Sequence, residues 1–235
     1  MRFSKRNSNS DITNGEPLKL KQTQAGDIAE LSEDRIDFFA SNITEIPREI
    51  SKLDLAELPL AGFSGQIIVV DDENSCWEAC EILQRIDILG FDTETRPSFK
   101  KGEFHQIALL QLSSASTVYL FRLNKIGLPD CLRRILEQET ILKVGIALEN
   151  DIPELRYYGS ISPASMVDLN RICGRLEFVS IGARKLAALF LGFRLSKAQQ
   201  TSNWENETLS PSQQIYAATD AWVCREIYLR LNGLS

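Results

Sequence analysis

Ile88-Leu89-Gly90-Phe91-Asp92-Thr93-Glu94 is the stretch on which the reading of this chain turns. An apolar run of strand character ends here in acid. In extended backbone, residues i and i+2 project to the same side. Asp92 and Glu94 therefore face one spot at the end of a buried strand. Alone, the pair reads better as a solvated strand end.

Working outward, Gln66-Ile67-Ile68-Val69-Val70-Asp71 reads as a strand, and Ser75 to Ile86 as a helix. Ile107 to Leu112 and Thr117 to Phe121 read as strands joined by a Ser-rich turn. A helix follows from about Leu128 to Gln138, then a strand over Ile141 to Gly145 and a helix beginning near Asn150. Met166 to Leu169 suggests a last short strand, and the remainder is helical to Asn232. Adjacent hairpins followed by crossovers predict an α/β fold, a mixed central sheet with helices on both faces. Strand ends and helix starts in such a sheet gather at one edge.

Two more acids fall at such places. Asp151 follows Glu149-Asn150 where a strand hands over to a helix. It also fits as an acid complementing the helix macrodipole beside an Asn cap. Ser210-Pro211-Ser212-Gln213 carries a helix-start signature: a Ser cap, Pro at the first position and Gln placed for a capping box. Along that helix Tyr216, Asp220, Val223, Ile227 and Leu231 share one face, whose lower part is apolar. An Asp on an inward stripe is costly unless paired or metal-bound.

Composition narrows the chemistry. The 235 residues carry 26 Lys+Arg against 32 Asp+Glu, a net charge of −6, with one His and five Cys. No apolar run is long enough for a spanning helix, and the polar N-terminus lacks the apolar core of a secretory signal. An odd cysteine count argues against a disulfide framework and for a reducing, cytoplasmic setting. With His105 alone, zinc sites built on two or three histidines are excluded. A metal held here is held mainly by carboxylates, which select hard cations such as Mg²⁺ or Mn²⁺. Residues 1–26 are polar and are expected to form a disordered tail; residues 27–62 read as a helical extension packed on the core.

Asp-x-Glu, then Asn-Asp, then Tyr-x-x-x-Asp, in this order, resemble the motifs of the DEDD superfamily of 3′→5′ exonucleases. The flanks Gly90 to Pro97, Ala108 to Ser113, Leu195-Ser196-Lys197, Thr201 to Glu205 and Leu209 to Ala221 support the likeness. Tyr216 where other members have His places it in the Tyr (DEDDy) branch, similar to the Werner syndrome protein exonuclease domain and RNase D. The resemblance covers residues 63–235 and implies a ribonuclease H-like fold with a five-stranded mixed sheet. It implies two divalent cations, Mg²⁺ or Mn²⁺. Asp92 would bridge both, Glu94 and Asp220 would hold the one that activates water, and Asp151 would serve the other. Tyr216 would orient the nucleophile. His105 is expected to be a loop or strand-start residue, and Asp168 a structural one.

The implied substrate is the 3′ end of nucleic acid, DNA in preference to RNA, with no membrane partner. From Arg171 to Asn203 there are six basic residues against one acid, Glu177. Lys197 is the leading phosphate candidate. Arg96, Lys100 and Lys101 form a second cluster, and Phe99 beside them is a candidate for stacking on a terminal base. An RNase D-like exoribonuclease and a noncatalytic nucleic-acid-binding protein of this fold are the alternatives.

Overall fold

The computed structural model describes residues 28–100, 102–179 and 181–234. The expected polar tail over 1–26, and Lys101 of the second basic cluster, lie outside the described residues. The chain opens with two short helices, α1 (Glu33–Asn42) and α2 (Lys52–Glu57). Ser32 and Ser51 cap them, each hydroxyl accepting from the backbone N–H three residues on. Next come β1 (Gln66–Val70), α3 (Glu73–Leu83), β2 (Ile88–Thr95), β3 (Ile107–Ser113) and β4 (Thr117–Phe121). They are followed by α4 (Leu123–Ile126), α5 (Asp130–Glu137), β5 (Leu142–Gly145) and α6 (Asp151–Leu155). The chain continues through β6 (Met166–Asp168), α7 (Leu169–Arg175), α8 (Ala183–Leu191) and α9 (Pro211–Leu231).

The strands form one mixed sheet in the order β1-β4-β3-β2-β5-β6. β3 runs antiparallel to both its neighbours, and the other pairs are parallel. The expectation of five strands is corrected to six. Five is the number the resemblance implies; the sixth, β6, is the short strand read at Met166 to Leu169, and it pairs with Lys143, Val144 and Gly145. β2 lies inside the sheet beside β5. Because these two run parallel, both end at the same edge, which brings Asp92-Thr93-Glu94 towards the segment leading to Asp151.

Strand alternation divides β2 between two faces. Leu89 and Phe91 pack with Leu110 and Leu112 against residues of α3 and α5, among them Leu83, Leu132 and Leu136. Gly90 faces the other way and meets α9 directly: a Cβ placed there would stand 2.0 Å from the Ala221 carbonyl oxygen. Asp92 and Glu94 share the Gly90 side. Helix α9 is bound to the body along its length. Ala217 and Ala218 pack with Leu109 and Trp204, and Val223, Ile227 and Leu231 are fully buried among residues of α1, α7 and α8. Phe39 of α1 meets Tyr228 of α9 edge-on at 6.0 Å. The Phe63 N–H donates to Thr219 Oγ1 at 2.9 Å. Among the described residues, no helix is long and apolar enough to cross a membrane.

Candidate active site

Each acid reaches the site for a local reason. Asp92 and Glu94 arrive by alternation on β2. Asp220 arrives on α9, whose start is fixed by a reciprocal capping box. There Ser210 Oγ accepts from the Gln213 N–H at 3.2 Å, and Gln213 Oε1 accepts from the Ser210 N–H at 3.0 Å. The Gln213 amide also donates to Ser202 Oγ at 2.8 Å and to the Asn203 carbonyl at 3.1 Å, tying the helix start to the preceding segment. As a result, carboxylate oxygens of Asp92, Glu94 and Asp220 lie within 4.8 Å of one another. Tyr216 stands one turn before Asp220 on the same helix, near enough for the charges of Asp220 and Glu94 to act on its phenol.

Asp151 joins from the sheet edge and by a different contact. Its carboxylate accepts from the Thr93 hydroxyl, the residue between the two β2 acids. The expected Asn cap is absent, because the Asn150 side chain makes no capping hydrogen bond at α6. The turn is held instead by Asp168. Its buried carboxylate accepts from the backbone N–H groups of Ala147, Leu148 and Asn170 at 3.2, 2.9 and 2.8 Å. Ala147 sits in left-handed backbone, φ 62°, so the loop before Asp151 has a defined, strained turn. Neither Thr93 nor Asp168 stands out in sequence as part of the site. Their signals are the middle position of Asp-x-Glu and a strand-terminal Asp at a helix start.

Crowding of buried acids dominates the electrostatics. Burial, then the charges of Glu94, Asp220 and Asp151, hold Asp92 well above the usual carboxylate range. Burial and the same two Asp neighbours push Glu94 up to about 9. Burial raises Asp220 to about 7, against the lowering effect of its hydrogen bond from Tyr216. Asp151 rises to about 6, again through burial and against the Thr93 bond. Burial and the charges of Asp220 and Glu94 push the Tyr216 phenol upward, so it remains a hydrogen-bond donor at neutral pH.

Those shifts fix a sign for stability. Carboxyl groups whose folded pKa exceeds the unfolded value of about 4 retain protons that the unfolded chain has lost. Their contribution is intact below about pH 4 and is lost as pH rises through about 6, 7 and 9. The melting temperature of EDTA-treated protein is therefore expected to fall between pH 5 and 9, and saturating Mg²⁺ to flatten the fall. A metal-free melting temperature that is level or rises over that range contradicts the assignment.

The donor set fits a hard divalent cation. It offers several carboxylates at close range and no sulfur or imidazole. His105 stands apart, its Nδ1 3.3 Å from Glu205 and its Nε2 3.4 Å from Glu103. The substrate candidates line the surroundings rather than the acid cluster. Arg96 is paired with Glu205 at 3.1 Å. Phe99, 82 % exposed, lines a groove of about 300 Å³ with Arg96, Lys100, Thr201 and Asn203. Lys197 is exposed, between Ser196 and Ala198, which line a cavity of about 330 Å³ reaching Tyr216 and Asp220.

A family model described as 3′-5′ exonuclease matches residues 67–234. The chain belongs to the 3′-5′ exonuclease family. The family's members are hydrolytic exonucleases, and this one resembles curated relatives of very different size. It is 36 % identical over 169 residues to the Drosophila melanogaster exonuclease 3′-5′ domain-containing protein 2, a match covering 69 % of this chain and 29 % of the relative. It is 32 % identical over 189 residues to the Mus musculus bifunctional 3′-5′ exonuclease/ATP-dependent helicase WRN, covering 75 % of this chain and 13 % of that protein. The chain thus spans less than a third of either relative. Among solved structures, Escherichia coli RNase D shares the fold at a TM-score of 0.62 and 24 % identity, over 72 % of this chain and 44 % of that one. The family's ribonuclease H-like sheet is the frame on which the acids described above are mounted.

Proposed function

We propose that this exonuclease-family chain hydrolyses phosphodiester bonds from the 3′ end of nucleic acid, DNA in preference to RNA, with two divalent cations, Mg²⁺ or Mn²⁺. The observation that carries the reading is the convergence of Asp92, Glu94 and Asp220 from a central strand and a distant helix, with Tyr216 one turn before Asp220 on that helix. Asp92, Glu94, Asp220 and Asp151 would hold the cations. Bound there, such ions stabilise the charge that develops on the phosphate and on the leaving oxygen.

The protein's own groups supply the rest. The Tyr216 hydroxyl, kept protonated by the acids around it, orients the attacking water through a hydrogen bond. Thr93 holds the Asp151 carboxylate at the edge of the site, and Asp168 holds the loop that delivers it. Lys197 offers an ammonium to a backbone phosphate. Phe99 offers a ring on which a terminal base can stack. Arg96 would exchange its surface partner Glu205 for phosphate, a modest cost because exposed ion pairs contribute little. The DNA preference is supported by the likeness to Aquifex aeolicus DNA polymerase I, 28 % identical over 165 residues, covering 70 % of this chain and 27 % of that protein. The likeness to RNase D, which is named an exoribonuclease, is one of fold, and an exoribonuclease is the second reading.

Labelled oligonucleotides test the proposal. With Mg²⁺ or Mn²⁺, 5′-labelled DNA should shorten one nucleotide at a time, and 3′-labelled DNA should lose its label in the first step. EDTA should stop both. Parallel RNA substrates decide between the two readings. Internal cuts, or release from the 5′ end, overturn both. Lys197→Ala is expected to raise KM several-fold at nearly constant kcat, because the contact is made in ground state and transition state alike.

A further inference from the structure

Gln111 lies on β3 directly opposite Asp92 of β2. Residues paired across an antiparallel ladder project to the same face, so the Gln111 carboxamide and the Asp92 carboxylate both face α9. The Gln111 side chain is 0 % exposed. Neither its Nε2 nor its Oε1 has a hydrogen-bond partner, and among the described residues it alone has two such bare atoms.

Buried Trp204 Nε1 and the Tyr228 hydroxyl are also bare, but among the described residues Gln111 is the one side chain that buries two separate polar atoms, a donor and an acceptor, without a partner. Other buried polar side chains are engaged. Buried Lys143 donates to the Gln138 and Ile141 carbonyls at 2.8 Å each. The buried Gln213 amide uses both its ends. Asp168 accepts three backbone N–H groups. A buried amide with no partner is destabilising, and an apolar side chain of the same shape would avoid the cost. Leu109, two residues earlier on the same strand and packed under α9, shows that this face accepts one. An amide left bare beside an acid cluster points to a partner that arrives with the ligand.

We propose that Gln111 is a positioning residue for the cation site: its carboxamide hydrogen-bonds the Asp92 carboxylate, directly or through one water, when that carboxylate holds a divalent cation. The inference rests on the metal-dependent reading given above. Outer hydrogen bonds of this kind orient a metal-binding group, and their loss typically lowers metal affinity 10–100-fold. The arrangement would explain why an amide is placed where the cation-free protein gives it nothing to bind.

The test measures Mn²⁺ binding to the full chain by calorimetry, with thermal melts in EDTA, for the wild type, Gln111→Met and Ser113→Ala. Methionine keeps the length of glutamine and removes its polar atoms. Ser113 lies two residues along the same face, opposite Gly90. The expected result is that Gln111→Met melts in EDTA at or above the wild-type temperature yet binds Mn²⁺ roughly 10–100-fold more weakly, while Ser113→Ala binds normally. Equal Mn²⁺ affinity in Gln111→Met overturns the inference and leaves the metal-dependent reading standing. A wild type that binds no Mn²⁺ overturns both. A marked drop in the EDTA melt of Gln111→Met, or an equal loss of affinity in Ser113→Ala, assigns Gln111 to packing and also overturns it.

Discussion

Asp92→Ala and Asp220→Asn are each expected to abolish hydrolysis while the protein stays folded. Bound cations contribute several kcal/mol to the transition state of phosphodiester hydrolysis. Each ~1.36 kcal/mol is tenfold in rate, so a loss of roughly 10³-fold or more is expected. The fold has no need of these charges. Asp92 is held above the usual carboxylate range by its own burial and by three acidic neighbours, so removing it relieves the cation-free site. The EDTA melting temperature of Asp92→Ala should match or exceed that of the wild type, and the increase on adding Mg²⁺ should shrink. Near-normal turnover by purified Asp92→Ala would remove Asp92 from the site. A collapsed melt would make it a structural residue.

Gly90→Ala should damage both stability and turnover, although it adds a single methyl two residues from the nearest acid. The added Cβ would stand 2.0 Å from the Ala221 carbonyl oxygen and 2.9 Å from its carbonyl carbon. Both are backbone atoms of a long, packed helix, and no side-chain rotation relieves the clash. Overpacking of this kind costs about 1–3 kcal/mol, occasionally more. Here the relief is a shift of α9 away from β2, which separates Asp220 from Asp92 and Glu94. A misplacement of about 1 Å in a reacting constellation can cost ~10²-fold in rate. Urea denaturation and single-turnover assays check the two effects together. Gly174→Ala is the control, because a Cβ there meets nothing within 4 Å; in helix α7 it should be neutral or stabilising by about 0.5–1 kcal/mol. A Gly90→Ala protein as stable and active as the wild type would show that α9 does not depend on this close seat.

Much of this architecture is legible in the sequence where local pattern and tertiary role agree. The α9 start is written in Ser210-Pro211-Ser212-Gln213, and the capping box forms as that signature implies. The stripe Val223, Ile227, Leu231 points inward as its spacing requires. The strands bordering the site are long enough to show their period. Less visible are features that depend on what lies across the sheet. Thr93 matters because Asp151 arrives beside it at the start of α6. Gln111 draws notice only once the register sets it opposite Asp92. Asp168 reads as an ordinary strand-end acid until the three N–H groups it holds are seen to include the loop before Asp151. Each of these depends on a residue distant in sequence, which periodicity cannot report.

The seat of α9 on β2 also sets the order in which the protein can become a nuclease. Two of the clustered acids belong to an early strand and the third to the last helix of the described fold. All six strands precede α9 in the chain, but the cluster stays open until α9 has emerged and docked. A chain cut before Asp220 would contain all six strands and lack the completed cluster. With these acids as the proposed cation site, hydrolytic competence would be tied to a finished domain, and a partly made one would have no means of cutting the nucleic acid around it.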